Sequence, residues 1–266
     1  MSNFQILWDE SGEIYHQYGL SYSQYKKTNQ KLIELSSING SQIVIDLACG
    51  TGLTTKEILK KNPEKIYAVD FSKDMLNQAK RFIGDNEVNF ILSDASKIDQ
   101  VISEKVDRVL CNSAFWQFPD QIQVLKSIKN TLKEDGLFIF NLNSQFYDFG
   151  LEESHRTRII KEIFSEIEKR GYNPQGKLKE KVNQKLIQKM IDESGLVLIK
   201  TELYSFEGAR LEDTIDFFKI PAVAPFFDGV PSSEQEEILS LVKSRLEKEE
   251  LETPLNKWIY FVVGNK

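Results

Sequence analysis

The chain has 266 residues, enough for one large α/β domain with insertions, and its 41% apolar and 28% charged content is that of an ordinary globular domain rather than a disordered or fibrous one. A formal net charge of −6, from 40 acidic against 34 basic side chains, argues against a nucleic-acid partner, which is usually met by a clustered basic surface. Two cysteines, Cys49 and Cys111, and two histidines, His16 and His155, are too few for a disulfide framework or a dedicated metal centre.

The N-terminus, MSNFQILWDESGEIYHQYG, has neither the basic nor the apolar stretch of an export signal. No run approaches the roughly 18 apolar residues of a membrane span, so a cytoplasmic protein is expected. The first forty residues contain no strand pattern, and Tyr25 to Leu35 has helical spacing with a polar face. They are expected to lie over the rest of the chain rather than form a domain.

Apolar runs bounded by turn residues then recur at Ile43 to Leu47, Ile66 to Val69, Val88 to Leu92, Val106 to Cys111 and Leu137 to Leu142. Between them Thr54 to Lys60, Lys73 to Phe82 and Gln121 to Leu132 have helical spacing, so strand and helix alternate as a doubly wound parallel sheet requires. The alternation pauses in a polar and aromatic stretch after Leu142. Lys179 to Asp192 then places Val182, Leu186, Ile187, Met190 and Ile191 on one helical face, ending at Gly195. Leu196 to Tyr204 reads as a sixth strand and Trp258 to Val263 as a seventh. The roughly fifty residues between them are too many for a hairpin loop, and residues 207 to 256 are expected to form a helical insertion. Within it, the charged run from Arg245 to Glu252 reads as the solvated face of a helix.

The first strand runs into Asp46-Leu47-Ala48-Cys49-Gly50-Thr51-Gly52, a turn at which backbone can pass close to a ligand. Thr55 stands where a dinucleotide fingerprint would have its third glycine, and no phosphate-binding lysine loop is present. Asp46 would repel a pyrophosphate but attract an amino group. Asp70, twenty residues after Gly50 at the end of the second strand, can accept from ribose hydroxyls, and Asp94 after the third strand can accept from an exocyclic adenine amine. The three acids end successive parallel strands and so share one sheet edge. Together they describe an amino acid, a ribose and an adenine. Taken singly, Asp70 also suits a helix N-cap and Asp94 a turn.

The segments VIDLACGTG, AVDFSKDMLNQAK, SDA and GLFIFNL, over roughly residues 40 to 145, resemble successive motifs of class I S-adenosylmethionine-dependent methyltransferases. The similarity is greatest to the ubiquinone/menaquinone-methyltransferase-like and malonyl-carrier-protein-methyltransferase-like group. The resemblance implies an α/β fold with a seven-stranded, mostly parallel sheet and helical lid insertions, S-adenosylmethionine as cofactor and S-adenosylhomocysteine as product. It implies a cofactor site built from Tyr15, Asp46, Ala48, Gly50, Thr51, Gly52, Asp70, Phe71, Ser72, Met75, Asp94, Ala95, Asn112 and Ala114. Phe71 and Met75 would flank the adenine. Asn112 and Ala114 come from a segment resembling the family's Asn-x-Ala-x-Gln-Trp, with the last two types exchanged here at Trp116 and Gln117.

The N-terminal aromatics Trp8, Tyr15, Tyr18, Tyr22 and Tyr25 resemble a lead-in that closes over the cofactor, which makes His16 and Tyr18 the candidate catalytic residues. The expected organisation is a helical segment at 1 to 40, a methyltransferase core at 41 to 206 and 257 to 266, and a lid at 207 to 256. Phe146, Tyr147 and Phe149 and the apolar run from Asp216 to Phe227 suit a lid over a small, largely apolar acceptor, a metabolite or a carrier-tethered acyl group. Oxygen is favoured as the methylated atom. Carbon or nitrogen methylation, a catalytically silent cofactor-binding module and a nucleotide-dependent oxidoreductase are the alternatives, and nothing in the sequence fixes the oligomeric state.

Overall fold

The computed structural model describes residues 3–84, 86–150, 155–175, 180–206, 210–248 and 256–265. Three helices come first, α1 (Asn3–Asp9), α2 (Gly12–Ser21) and α3 (Ser23–Ser36). An alternating series follows: β1 (Ile43–Leu47), α4 (Leu53–Leu59), β2 (Lys65–Asp70), α5 (Lys73–Ile83), β3 (Asn89–Leu92), α6 (Ile98–Val101), β4 (Val106–Cys111), α7 (Gln121–Thr131) and β5 (Leu132–Asn143). The rest comprises α8 (His155–Lys169), α9 (Gln184–Ser194), β6 (Val197–Phe206), α10 (Leu211–Phe217), α11 (Ser232–Glu247) and β7 (Asn256–Gly264).

The strands form one seven-stranded sheet in the order β3-β2-β1-β4-β5-β7-β6. β1 to β5 run parallel, and β7 pairs antiparallel to both β5 and β6. The expected doubly wound, mostly parallel sheet is therefore present. The order reverses at β1, and β1 and β4 diverge at their carboxyl ends, where such sheets bind ligands.

Alternation along the strands sets the two faces. Ile43, Ile45 and Leu47 pack with Val109, Phe138, Phe140 and Phe261 under α7 and α9. Val44, Ile66, Leu110, Ile139 and Tyr260 pack on the opposite side against Leu32 and Ile33 of α3 and Ile58 of α4. α9 begins later than its periodicity predicts, because Asn183 caps it by accepting from the Leu186 amide (2.9 Å), while Val182 bridges Tyr147 instead. No helix among the described residues is long and apolar enough to cross a membrane.

The stretch after β5, read from sequence as a polar interruption, contains the fifteen-residue α8. Its Ile159, Ile160, Ile163 and Ile167 form a buried stripe against Ile215 and Phe218 near α10, Phe226 and Phe227, and Ile238, Leu239, Val242 and Leu246 of α11. The insertion after β5 thus supplies one side of a second apolar core, and the one between β6 and β7 supplies the larger share. Arg245 also departs from the sequence reading, since it is not simply solvated: it pairs with buried Glu166 of α8 (2.8 Å) and with Glu162 (2.5 Å). Further along that run Leu246 is buried, Glu247 ends α11, and residues 249 to 252 lie outside the described residues. Because Ile163 is fully buried, Ile163→Ala is expected to destabilise this helical cap by about 2–4 kcal/mol. Hydrogen exchange should then show faster opening of α8 and α11 than of β1 and β4.

Candidate functional site

β1 leaves the sheet through three left-handed residues, Ala48 (φ +56°), Gly50 (φ +54°) and Gly52 (φ +87°). Ala48 has a Cβ, so its conformation carries strain of about 1 kcal/mol or more that the surrounding contacts must hold. At Gly52, the N-cap of α4, a Cβ would lie 3.2 Å from the Cβ of Ala79 on α5, so glycine here serves helix packing. Gly50 faces outward to Tyr15, whose ring carbon would stand 3.7 Å from an added Cβ.

Asp70, at the end of β2, holds the loop in shape. Its carboxylate accepts from the Gly50 amide (2.8 Å) and from the Ser72 amide (2.9 Å), and the residue is buried. Burial pushes its carboxyl up to about 6, against the pull of these amide donors. Asp94 caps the 3-10 turn Ala95–Lys97: its Oδ1 accepts from the Ser96 amide (2.8 Å) and hydroxyl (2.7 Å).

Three adjoining recesses open around this loop. The first, with about 730 Å³ of open space, is lined by Ala48, Asp70, Phe71, Asp94, Ala95 and Ala114, together with Gln5, Gln117 and Phe118. Apolar walls with carboxylates at the edges fit a purine nucleoside. The second lies on the far side of Ala48 and is lined by Gly50, Thr51, Asn112 and Tyr15, with Asn29 and Thr54. The buried Thr51 hydroxyl has no hydrogen-bond partner among the described residues, so the recess has a polar group to offer a ligand. The third, with about 810 Å³ of open space, is bounded by Trp8, Tyr15, Tyr22, Tyr25, Trp116, Phe146, Phe217 and Trp258, with Ser113, Gln117, Asn143, Ser144 and Gln145 as polar groups. Tyr15 faces both the second and the third. Its hydroxyl donates to the Tyr25 hydroxyl (3.0 Å), and burial pushes its pKa up to about 12.

Six expected site residues are placed elsewhere. Asp46 has the strand parity of Val44, which turns it towards α4, where it accepts from the Thr55 hydroxyl (2.5 Å); it lines none of the three recesses. Thr55 is thus Asp46's partner at the position where a dinucleotide fold has glycine. Gly52 serves helix packing. Ser72 caps α5 by accepting from the Met75 amide (3.2 Å) and donates to Asp9 (2.5 Å), and Met75 is buried with Trp8 and Ala222 in a cluster against which Phe71 packs, lining none of the three recesses itself.

His16 and Tyr18, the two candidate catalytic residues, line none of the three recesses. Gly12, His16 and Gly19 form one stripe of α2, on which side chains at either glycine would collide with Asp74 or Leu53. That close approach buries the His16 ring edge-on to Phe82 of α5 (4.6 Å), away from the cavities, and burial lowers its pKa. Tyr18 points the other way and ties α2 to the cap, its hydroxyl donating to the Asp213 carbonyl (3.0 Å) with its ring against Phe217. Cys49 and Cys111 are both free and buried, and burial raises both thiols.

A buried amide chain escapes a motif-by-motif reading. Asn141 of β5 accepts from the Ser113 amide (2.7 Å) and donates to Asn112 Oδ1 (2.6 Å); Asn112 donates to Asn29 Oδ1, which also accepts from Thr54 (2.8 Å). It holds Ser113 in a left-handed conformation (φ +59°) at the floor of the third cavity. Asparagines at strand ends are its sequence signal, but pairing requires the β1-β4-β5 order.

The two buried acids give a pH dependence with a definite sign. Asp46 stands near 7, raised chiefly by burial, and Asp70 near 6, against an ordinary 3.8. Between roughly pH 4 and 7 the unfolded chain has released protons that the folded chain retains, so their contribution makes stability fall as pH rises through that window. Asp46→Asn keeps an acceptor for Thr55 without the charge. It is expected to raise stability at pH 8 by more than about 1 kcal/mol and to flatten this slope in urea titrations. A lower urea midpoint at pH 8 would contradict it.

Residues 45–140 match a family model described as a methyltransferase domain. A malonyl-[acyl-carrier protein] O-methyltransferase 2 of Coxiella burnetii is 33% identical over 103 residues, 38% of this chain and 41% of that protein. A demethylmenaquinone methyltransferase of Bacillus velezensis is 24% identical over 71% of this chain and 84% of that one. The chain spans about half the length of the malonyl-[acyl-carrier protein] O-methyltransferases it matches. Among solved structures, a Haemonchus contortus phosphoethanolamine N-methyltransferase 2 in complex with S-adenosyl-L-methionine superposes with a TM-score of 0.54 at 16% identity, covering 90% of this chain and 52% of that one.

Proposed function

We propose, from a chain whose residues 45–140 form a class I S-adenosylmethionine-dependent methyltransferase domain, that the protein moves the methyl group of this cofactor onto a carboxylate oxygen of a small, largely apolar acceptor, free or carrier-tethered. Ala48, Gly50, Thr51, Asn112 and Tyr15 would hold the amino-acid end, and Asp70, Phe71, Asp94, Ala95 and Ala114 the nucleoside. When bound, the cofactor supplies an electrophilic methyl group on a positively charged sulfur.

The observation that carries the choice of acceptor is the chemistry of the aromatic cavity. None of the described residues lining it is Asp, Glu, His, Lys or Arg, and Tyr15, with its pKa near 12, stays neutral at pH 7. An alcohol or a protonated amine would need a base within reach, whereas a carboxylate arrives as a nucleophile. Catalysis then rests on positioning. The amides of Gln117 and Asn143 and the Ser144 hydroxyl can orient the acceptor's polar end, and the surrounding rings exclude water and favour a positive charge. The curated O-methyltransferase relatives support the oxygen assignment.

Incubation with methyl-tritiated S-adenosylmethionine and, separately, hexanoate, hexanol, hexylamine and a malonyl-loaded carrier protein tests this reading. Base-labile, volatile label from hexanoate or the malonyl carrier is the expected result. Stable label confined to hexanol or hexylamine would overturn the carboxylate assignment. Cofactor binding without transfer to any acceptor would favour a binding module.

A further inference from the structure

A second apolar cleft lies directly behind the aromatic cavity. It is lined by Phe115, Leu142, Val182, Ile187 and Met190, and has about 620 Å³ of open space. Trp116 and Phe146 line both spaces, and their rings stack on each other at 3.5 Å and 13°, so this one pair of side chains is the wall between them. Neither ring sits in a strand. Trp116 lies in a single 3-10 turn (Phe115–Gln117), and Phe146 in the turn after β5, where its carbonyl accepts from Val182 of the second cleft (2.7 Å). At the mouth, Leu186 and Glu180 are exposed.

From this arrangement we infer that the acceptor is elongated, with its reacting end in the aromatic cavity and an unbranched aliphatic tail passing the Trp116–Phe146 pair into the second cleft. The inference builds on the function proposed above by naming the acceptor's shape. Chemistry selects the occupant. The cleft's floor is aliphatic and conformable, from Leu142, Val182, Ile187 and Met190, which suits a flexible chain. Passage along the edge of a stacked ring pair favours a narrow chain over a rigid ring system. Glu180 at the mouth disfavours a tail ending in an anion, so of the two forms proposed above the cleft fits the free acceptor, its tail ending in an uncharged group. Trp116 and Phe146 then act as specificity determinants for tail length.

Titration calorimetry with butanoate, hexanoate, octanoate and decanoate, in the presence of S-adenosylhomocysteine, tests the inference. Affinity is expected to rise about fourfold for each methylene that enters the cleft. Leu186→Trp at the exposed mouth and Met190→Trp inside should each flatten the octanoate and decanoate end of the series, with unchanged S-adenosylhomocysteine affinity showing that the fold is kept. A flat series in the wild-type protein, or equal slopes in the wild type and both variants, would overturn it. The two proposals fail separately. A flat series with methyl transfer intact removes the tail site alone, and length-dependent binding without transfer removes the carboxylate-transfer reading alone.

Discussion

Asp70→Ala is expected to weaken S-adenosylmethionine binding by at least about 100-fold in titration calorimetry, since two charge-assisted hydrogen bonds at about 1.5 kcal/mol each amount to that ratio. The carboxylate stands between the Gly50 amide and the Ser72 amide, and it also faces the nucleoside-shaped recess. Alanine therefore removes the ligand's acceptor and releases the loop that positions Ala48 and Gly50. The effect on folding should be much smaller. The unpaired amides cost stability, but the burial that raises this carboxyl to about 6 is a penalty that alanine relieves. Asp70→Asn, which retains one acceptor oxygen, should fall between. Affinity within about threefold of wild type in the alanine variant would remove Asp70 from the site.

Asn141→Ala should show the reverse balance, with a stability loss of about 2–4 kcal/mol in urea unfolding, because each buried polar group left unpaired costs about 1–3 kcal/mol. Fully buried Asn141 is the partner of both the Ser113 amide and Asn112 Oδ1, and its loss strands the amide and leaves Asn112 Oδ1 with the long contact from the Ser113 hydroxyl (3.4 Å). Without that acceptor Ser113 has less reason to keep its left-handed conformation, and it lines the aromatic cavity, so kcat should fall as well. Asn29→Ala cuts the same chain at its other end. The double variant should therefore lose less than the sum of the single variants. A loss below about 0.5 kcal/mol for Asn141→Ala would show that the network is not needed.

The alternation of apolar runs and helical spacings is a local property, written in residues that touch within one element. The succession of five strands along the chain and the glycine turn after Leu47 were accordingly legible from it, while their order in the sheet was not. Asp70 and Asp94 were legible for a related reason: strand ends in such a sheet fall on one edge, whatever covers the faces. Asp46 was not. Its parity with Val44 could be read from the strand, but only the packing of α4 shows that its carboxylate accepts from Thr55.

Long-range packing decided the rest. α8 carries an isoleucine stripe whose partners, in α10 and α11, follow about fifty to eighty residues later, so neither insertion explains its own hydrophobic residues. His16 and Tyr18 share one helix but leave it on different sides, and Gly12 and Gly19 lie on the side that meets α5 and α4. The sequence by itself determined the sheet, the loop and the two strand-end acids, because periodicity and turn chemistry are local. Only the tertiary structure decided which side chains enter the cavities, because that depends on which helix face is buried and on asparagines joined across neighbouring strands.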